Sequence, residues 1–199
     1  MLRWQTVAIA YALLGSLAFA LAALAHHGSP FSHPNPWFAL APAVRLAASS
    51  VAGLALTVGL IASTRIAVFR WEWARRLHAD LRPVARNLTG STVVLVAVLS
   101  SLGEELFFRG FLVPVVGVVI QAGIFGLAHQ VRGPSRWVWV GWASLVGLCF
   151  GVVFAATGSL VGPIVAHALV NGYNLVFLRD HDPDPKRRLG GLFAPSDLS

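Results

Sequence analysis

The stretch SSLGEELFFRG, residues 100–110, sets Glu104, Glu105 and Arg109 between the apolar runs TVVLVAVL (92–99) and FLVPVVGVVI (111–120). Three ionisable groups within six residues have to be reconciled with surroundings that suit hydrocarbon. An ionisable side chain near the centre of a bilayer costs at least about 2.5–3.5 kcal/mol, so such groups face a protein interior, find partners and serve function. Glu105 and Arg109 stand four apart, share a helix face and can pair. Glu104 lies about 100° round the helix from Glu105 and is left to find a partner elsewhere.

The rest of the chain supports a membrane setting. Of 199 residues, 56% are hydrophobic and only 12% charged, with a mean hydropathy of +0.71. Soluble domains carry roughly 25% charged residues, so this composition cannot cover a water-facing surface. Apolar segments of near-spanning length fall at 5–25, 38–63, 90–113, 117–131 (shorter), 137–157 and 159–178. The expected fold is all-α, a polytopic integral membrane protein of about six transmembrane helices. It divides into N-terminal helices with a basic segment (1–89), a core (90–178) and a polar tail (179–199). The first segment has signal-peptide features, but its apolar run is long, so an uncleaved helix is expected.

The net charge of +7 is a topology signal. Arg65, Arg70, Arg75, Arg76, Arg82 and Arg86 crowd one loop, Arg132 and Arg136 another, and Arg179, Lys186, Arg187 and Arg188 the tail. The links HHGSPFSHPNPW (26–37) and ATGS (156–159) hold no Lys or Arg. Both termini are therefore expected in the cytoplasm, in a plasma membrane. The basic residues are expected to meet anionic lipid and no nucleic acid. The segment FRWEWARRLHADLRPVARN (69–87) reads as an interfacial helix on the inner leaflet. Cys149, alone in an apolar run, excludes an internal disulfide and a cysteine metal cluster.

Glu104 finds its partner across a turn. Pro114 and Gly117 can reverse the helix near Val116. Glu104 and His129 both lie about 18–20 Å from that turn, so an antiparallel hairpin brings them level inside the membrane. A carboxylate and an imidazole meeting in a low-dielectric cavity suit the deprotonation of water. In the last span His167 and Asn171 share one helix face, also near mid-membrane, and both can donate hydrogen bonds to a developing oxyanion.

EELFFR (104–109), FGLAH (125–129) and HALVN (167–171), in that order and in the context GLCFGVVFAATGSLVGPIVAHALVN, resemble the CPBP family: the type 2 CAAX prenyl proteases and their bacterial Abi relatives. The resemblance covers about residues 90–178. It implies an intramembrane glutamic endopeptidase that needs no metal or cofactor. Glu104 would be the general base and His129 its partner. Glu105 and Arg109 would brace the site and touch the substrate tail, while His167 and Asn171 would stabilise the oxyanion. The implied partners are membrane lipid and a peptide or protein substrate, lipidated in the eukaryotic members, which lose their last three residues. Oligomeric state is not implied. The connection from Arg109 to His129 is uncharged and shorter than is usual in the family, so a short or tilted fourth helix is expected.

Other classes fit less of the pattern. A zinc protease would use two histidines and a glutamate, but H-E-x-x-H is absent. A haem carrier using His129 and His167 leaves Glu104, Glu105 and Asn171 idle. A transporter would show repeated halves, and no repeat is found. A non-catalytic scaffold or bacteriocin-immunity-type protein would keep the Glu105–Arg109 pair without requiring Glu104.

Overall fold

A computed structural model describes residues 4–26 and 28–183. Arg3, most of the polar tail and its basic cluster at 186–188 lie outside the described residues. The helices are α1 (Trp4–His26), α2 (Pro42–Arg70), α3 (Glu72–Ala85), α4 (Gly90–Glu104), α5 (Val113–Ala128), α6 (Arg136–Thr157) and α7 (Val161–Asp180), with a π-helical segment Glu105–Leu112 joining α4 to α5. The protein is an all-α polytopic membrane protein. Its apolar side chains point outward, as at Leu24, Val58 and Val119, exposed by 77%, 69% and 75%, while Glu105, Arg109 and Gln121 are fully buried. That inverted distribution suits a lipid solvent.

Five runs are long and apolar enough to span a bilayer, because 90–128 forms one helical run of 39 residues. The separate third and fourth spans read from the sequence are its two halves. Gly117, at φ 81° and ψ 165°, breaks the run; a side chain there would be strained, and glycine is not. The returning half, 118–128, is short and packs along α6. Gly126 leaves room for Ser144 and Val140, and Gly147 for the Phe125 ring. The second span starts later than the sequence suggested, at Pro42 instead of 38, because proline at the first helical position sets the start.

Close approach elsewhere rests on small residues, the packing that membrane helices favour. A Cβ on Gly53 would lie 2.8 Å from the Gly162 carbonyl carbon. Beside it the Ser49 hydroxyl donates to the Ser159 carbonyl at 2.8 Å and accepts from the Gly162 amide at 3.0 Å. Gly53→Leu should therefore pry α2 from α7 and cost about 1–3 kcal/mol or more by overpacking, read as a lowered melting temperature in detergent.

The two ends of the bundle differ. At one end the loop 28–41 clamps the α6–α7 turn: the Trp37 amide donates to Ala155 O at 2.7 Å and the Leu160 amide to Phe31 O at 3.1 Å. At the basic end α3 lies across the helix ends. Its Arg82 pairs with Asp182 at 2.9 Å, and buried His78 Nε2 donates to His181 O at 3.0 Å. Burial holds the His78 imidazole below its ordinary value of 6.5, with Arg65, Arg82 and the His181 ring adding to the effect. The neutral ring is thus the folded form. Docking of α3 is fully present above about pH 6.5 and is lost as pH falls through the depressed folded value. Hydrogen exchange over 72–85, corrected for intrinsic rate, should speed up below about pH 6, and His78→Phe should remove that pH dependence.

Candidate functional site

The site forms where α4 passes into the π-helical segment. Such segments insert a residue into a helix and recur at functional positions. Here the wider turn holds Glu105 and Arg109 together in the interior. Arg109 Nη1 donates to Glu105 Oε1 at 2.8 Å and Nη2 to Gly147 O at 3.3 Å. The guanidinium also lies over the Phe125 ring at 4.2 Å and the Phe150 ring at 5.3 Å. The expected pair is present, and both members are fully buried.

The hairpin brings Glu104 level with His129. Glu104 Oε2 stands 3.4 Å from His129 Nε2 and 3.8 Å from His167 Nε2. His129 Nδ1 lies 2.8 Å from the Phe125 carbonyl, which can only accept, so Nδ1 carries the proton. The neutral ring then turns its Nε2 lone pair towards the Glu104 carboxylate. Two acceptors face each other stably across that gap only when a proton or a water lies between them.

His167 touches both carboxylates. Its Nδ1 is 2.7 Å from Glu105 Oε1, the oxygen that also accepts from Arg109. With Nδ1 committed to Glu105, Nε2 can donate only if the ring carries a proton on each nitrogen. Asn171, on the same helix, meets a different partner from His167. Its amide donates to Ser100 Oγ at 3.2 Å, one helical turn from the imidazole. It still lines the same cavity as His129 and His167.

That cavity, about 140 Å³, opens between α2, α7, the N-terminal half of α6 and the apolar face of α3. Trp73, Leu77, Trp142 and Phe177 make its wall largely apolar. The short returning half of α5 leaves this space: it stops at His129, beneath which α3 closes the basic end, with Asp80 near Gly133. The short α5 expected from the sequence is therefore what opens the cavity at the histidines.

Two polar neighbours were not singled out in the sequence. Ser100 precedes Glu104 by one turn on α4. Tyr11, on α1, packs its ring against Gly103, the residue before Glu104. No motif marks Tyr11, because α1 reads as a generic apolar helix. Its one signal is a phenol in mid-span, a group that seeks a hydrogen-bond partner when buried.

Fold and site together define a multi-pass helical membrane protein with an acid–imidazole cluster buried at the end of an apolar cavity. Residues 87–173 match the profile of the Rce1-like family, described as type II CAAX prenyl endopeptidase Rce1-like. That segment, under half of the chain, contains all six candidate residues. An uncharacterised protein of Bacillus subtilis (strain 168), YyaK, is 32% identical over 106 residues, covering 47% of this chain and 35% of YyaK. The alignment thus spans about a third of that relative's length. No solved structure matches.

Proposed function

We propose that the protein is an intramembrane endopeptidase that hydrolyses a peptide bond with a water activated by Glu104 and His129. The observation that carries this reading is the Glu104 Oε2 to His129 Nε2 approach of 3.4 Å at the end of a membrane cavity. A water held there would give one proton to Glu104 as it attacks the scissile carbonyl. The oxyanion that forms would be met by His167 Nε2 and by Asn171. Glu104 would then return the proton to the leaving amine. Glu105 and Arg109 fix His167 and do not themselves need to react.

The apolar wall of the cavity favours a substrate whose cleaved segment is apolar or carries a lipid, in keeping with the family's description as type II CAAX prenyl endopeptidase Rce1-like. The arginine-rich loops favour an orientation with α3 at the cytoplasmic leaflet and both termini inside. A non-catalytic scaffold would need the Glu105–Arg109 pair for packing but would be indifferent to Glu104. Terminal-peptide mass spectrometry of membranes carrying the wild type or Glu104→Gln separates the two. New termini present only with the wild type support the peptidase, and identical termini overturn it.

A further inference from the structure

The cavity has a cover that is fastened along one side. Trp73, Leu77 and Leu81 of α3 line it together with Trp139, Trp142 and Val146 of α6. Yet α3 packs on α2 and α7. Among the described residues its side-chain hydrogen bonds to the rest of the chain run to Phe69 O, His181 O and Asp182, and none reaches α6. The seam between α3 and α6 therefore runs along the cavity with no hydrogen bond across it. Both ends of α3 are short joints. Trp71, extended at φ −121° and ψ 135°, is the single residue between α2 and α3, and residues 86–89 lead from α3 to α4.

The fastened side is held by the two residues that follow α7. Asp182 accepts from Arg82 at 2.9 Å, and His181 O accepts from His78 Nε2 at 3.0 Å. The His181 ring stacks on Phe177, with centroids 4.8 Å apart and planes 5° from parallel, and meets the Phe69 ring edge-on at 5.3 Å. In water the apolar underside of α3 would be driven shut. Between acyl chains that drive is missing, because lipid tails are as apolar as leucine. Moving Trp73, Leu77 and Leu81 from the cavity wall into lipid thus costs little, and the bonds to His181 and Asp182 decide whether the cover is closed.

We propose that α3 is a lateral gate. It lifts on its two end joints, releases His181 and Asp182, and widens the seam beside α6, so that a membrane-embedded ligand enters the cavity from the leaflet at the basic end. His181 and Asp182 are the latch. The proposal rests on the peptidase reading for that ligand being a substrate, but not for the gate itself. Gate and latch both lie outside residues 87–173, the segment that matches the family.

The test uses the full chain in phosphatidylcholine vesicles with Cys149→Ala, which removes the chain's one native thiol. Val146→Cys then puts a thiol on the cavity wall. Ala155→Cys puts one in the core at the opposite end, where residue 155 is 1% exposed. Labelling by N-cyclohexylmaleimide, which partitions into lipid, and by a charged, impermeant maleimide is followed by mass spectrometry. Arg82→Gln should speed labelling of Val146→Cys by the apolar reagent roughly two- to fivefold, the scale of one partly exposed ion pair. His181→Ala should speed it roughly tenfold, the scale of its ring contacts. Exchanging the charges, Arg82→Asp with Asp182→Arg, should bring the rate back towards wild type. Ala155→Cys should label no faster in any of these variants. Unchanged labelling of Val146→Cys in either latch variant would overturn the gate, and so would an equal rise at Ala155→Cys, which reports general loosening. A gain seen only with the charged reagent would mean that the cavity opens to water, and would overturn lateral entry. If no Glu104-dependent cleavage exists, the peptidase reading fails while the labelling still decides the gate.

Discussion

Glu104→Gln is expected to lower turnover by about 10²–10⁴-fold, the usual worth of a positioned general base, while expression and melting temperature stay near wild type. The amide keeps the size and shape of the carboxylate but has no basic oxygen to accept a proton from water. Its NH₂ can donate to the His129 Nε2 lone pair, which the carboxylate faces at 3.4 Å, so the cavity loses its chemistry and gains a hydrogen bond. The Glu105–Arg109 pair, which holds the packing, is untouched. His129→Ala should also remove turnover, with a small structural penalty, because His129 caps α5 at the cavity and is only partly buried. The measurement is the initial rate of formation of wild-type-dependent termini in vesicles, alongside thermal melting. A Glu104→Gln variant as active as wild type would remove Glu104 from the mechanism.

Much of this was legible in the sequence because the bilayer leaves few choices. Apolar runs of spanning length gave the helices, and the arginines separated the two ends. The level match of Glu104 and His129 followed from counting residues about a break at Pro114 and Gly117; the structure puts the reversal at Gly117. The π-helical segment was not legible: a one-residue insertion into the helix leaves no compositional mark, since LFFRGFL is equally apolar in either geometry. The sharing of Glu105 Oε1 between Arg109 and His167 was hidden for a related reason. Helix periodicity says which face a residue occupies, but not which nitrogen meets which oxygen. Asn171 shows the same limit: its position one turn below His167 was correct, yet its amide turns to Ser100. The packing of Tyr11 on Gly103 was invisible because it is a contact between segments far apart in the chain.

Arg109→Ala should be the most destabilising single change in the core, costing about 3–5 kcal/mol, because it leaves a buried carboxylate without its counter-charge. Glu105 is fully buried, and its Oε2 already lacks a partner. Oε1 would keep only His167 Nδ1. The Phe125 and Phe150 rings would lose the cation that they flank, and a cavity the size of an arginine side chain would open beside Gly147. Arg109→Lys keeps the charge but not the planar fork that bonds Glu105 and Gly147 together, so its loss should be intermediate. The informative variant is the neutral pair Glu105→Gln with Arg109→Met. It removes both buried charges at similar volume and should recover much of the stability lost in Arg109→Ala, as replacement of buried ion pairs by uncharged groups often does. Activity should not return with it. His167 would then face an amide in place of a carboxylate, and the carboxylate that orients its Nδ1 would be gone. Thermal melting and Glu104-dependent cleavage, measured on the same three variants, separate the two roles of the pair. If the neutral pair restores both stability and turnover, Glu105 and Arg109 serve packing alone, and the placement of His167 is set by the helices without their help.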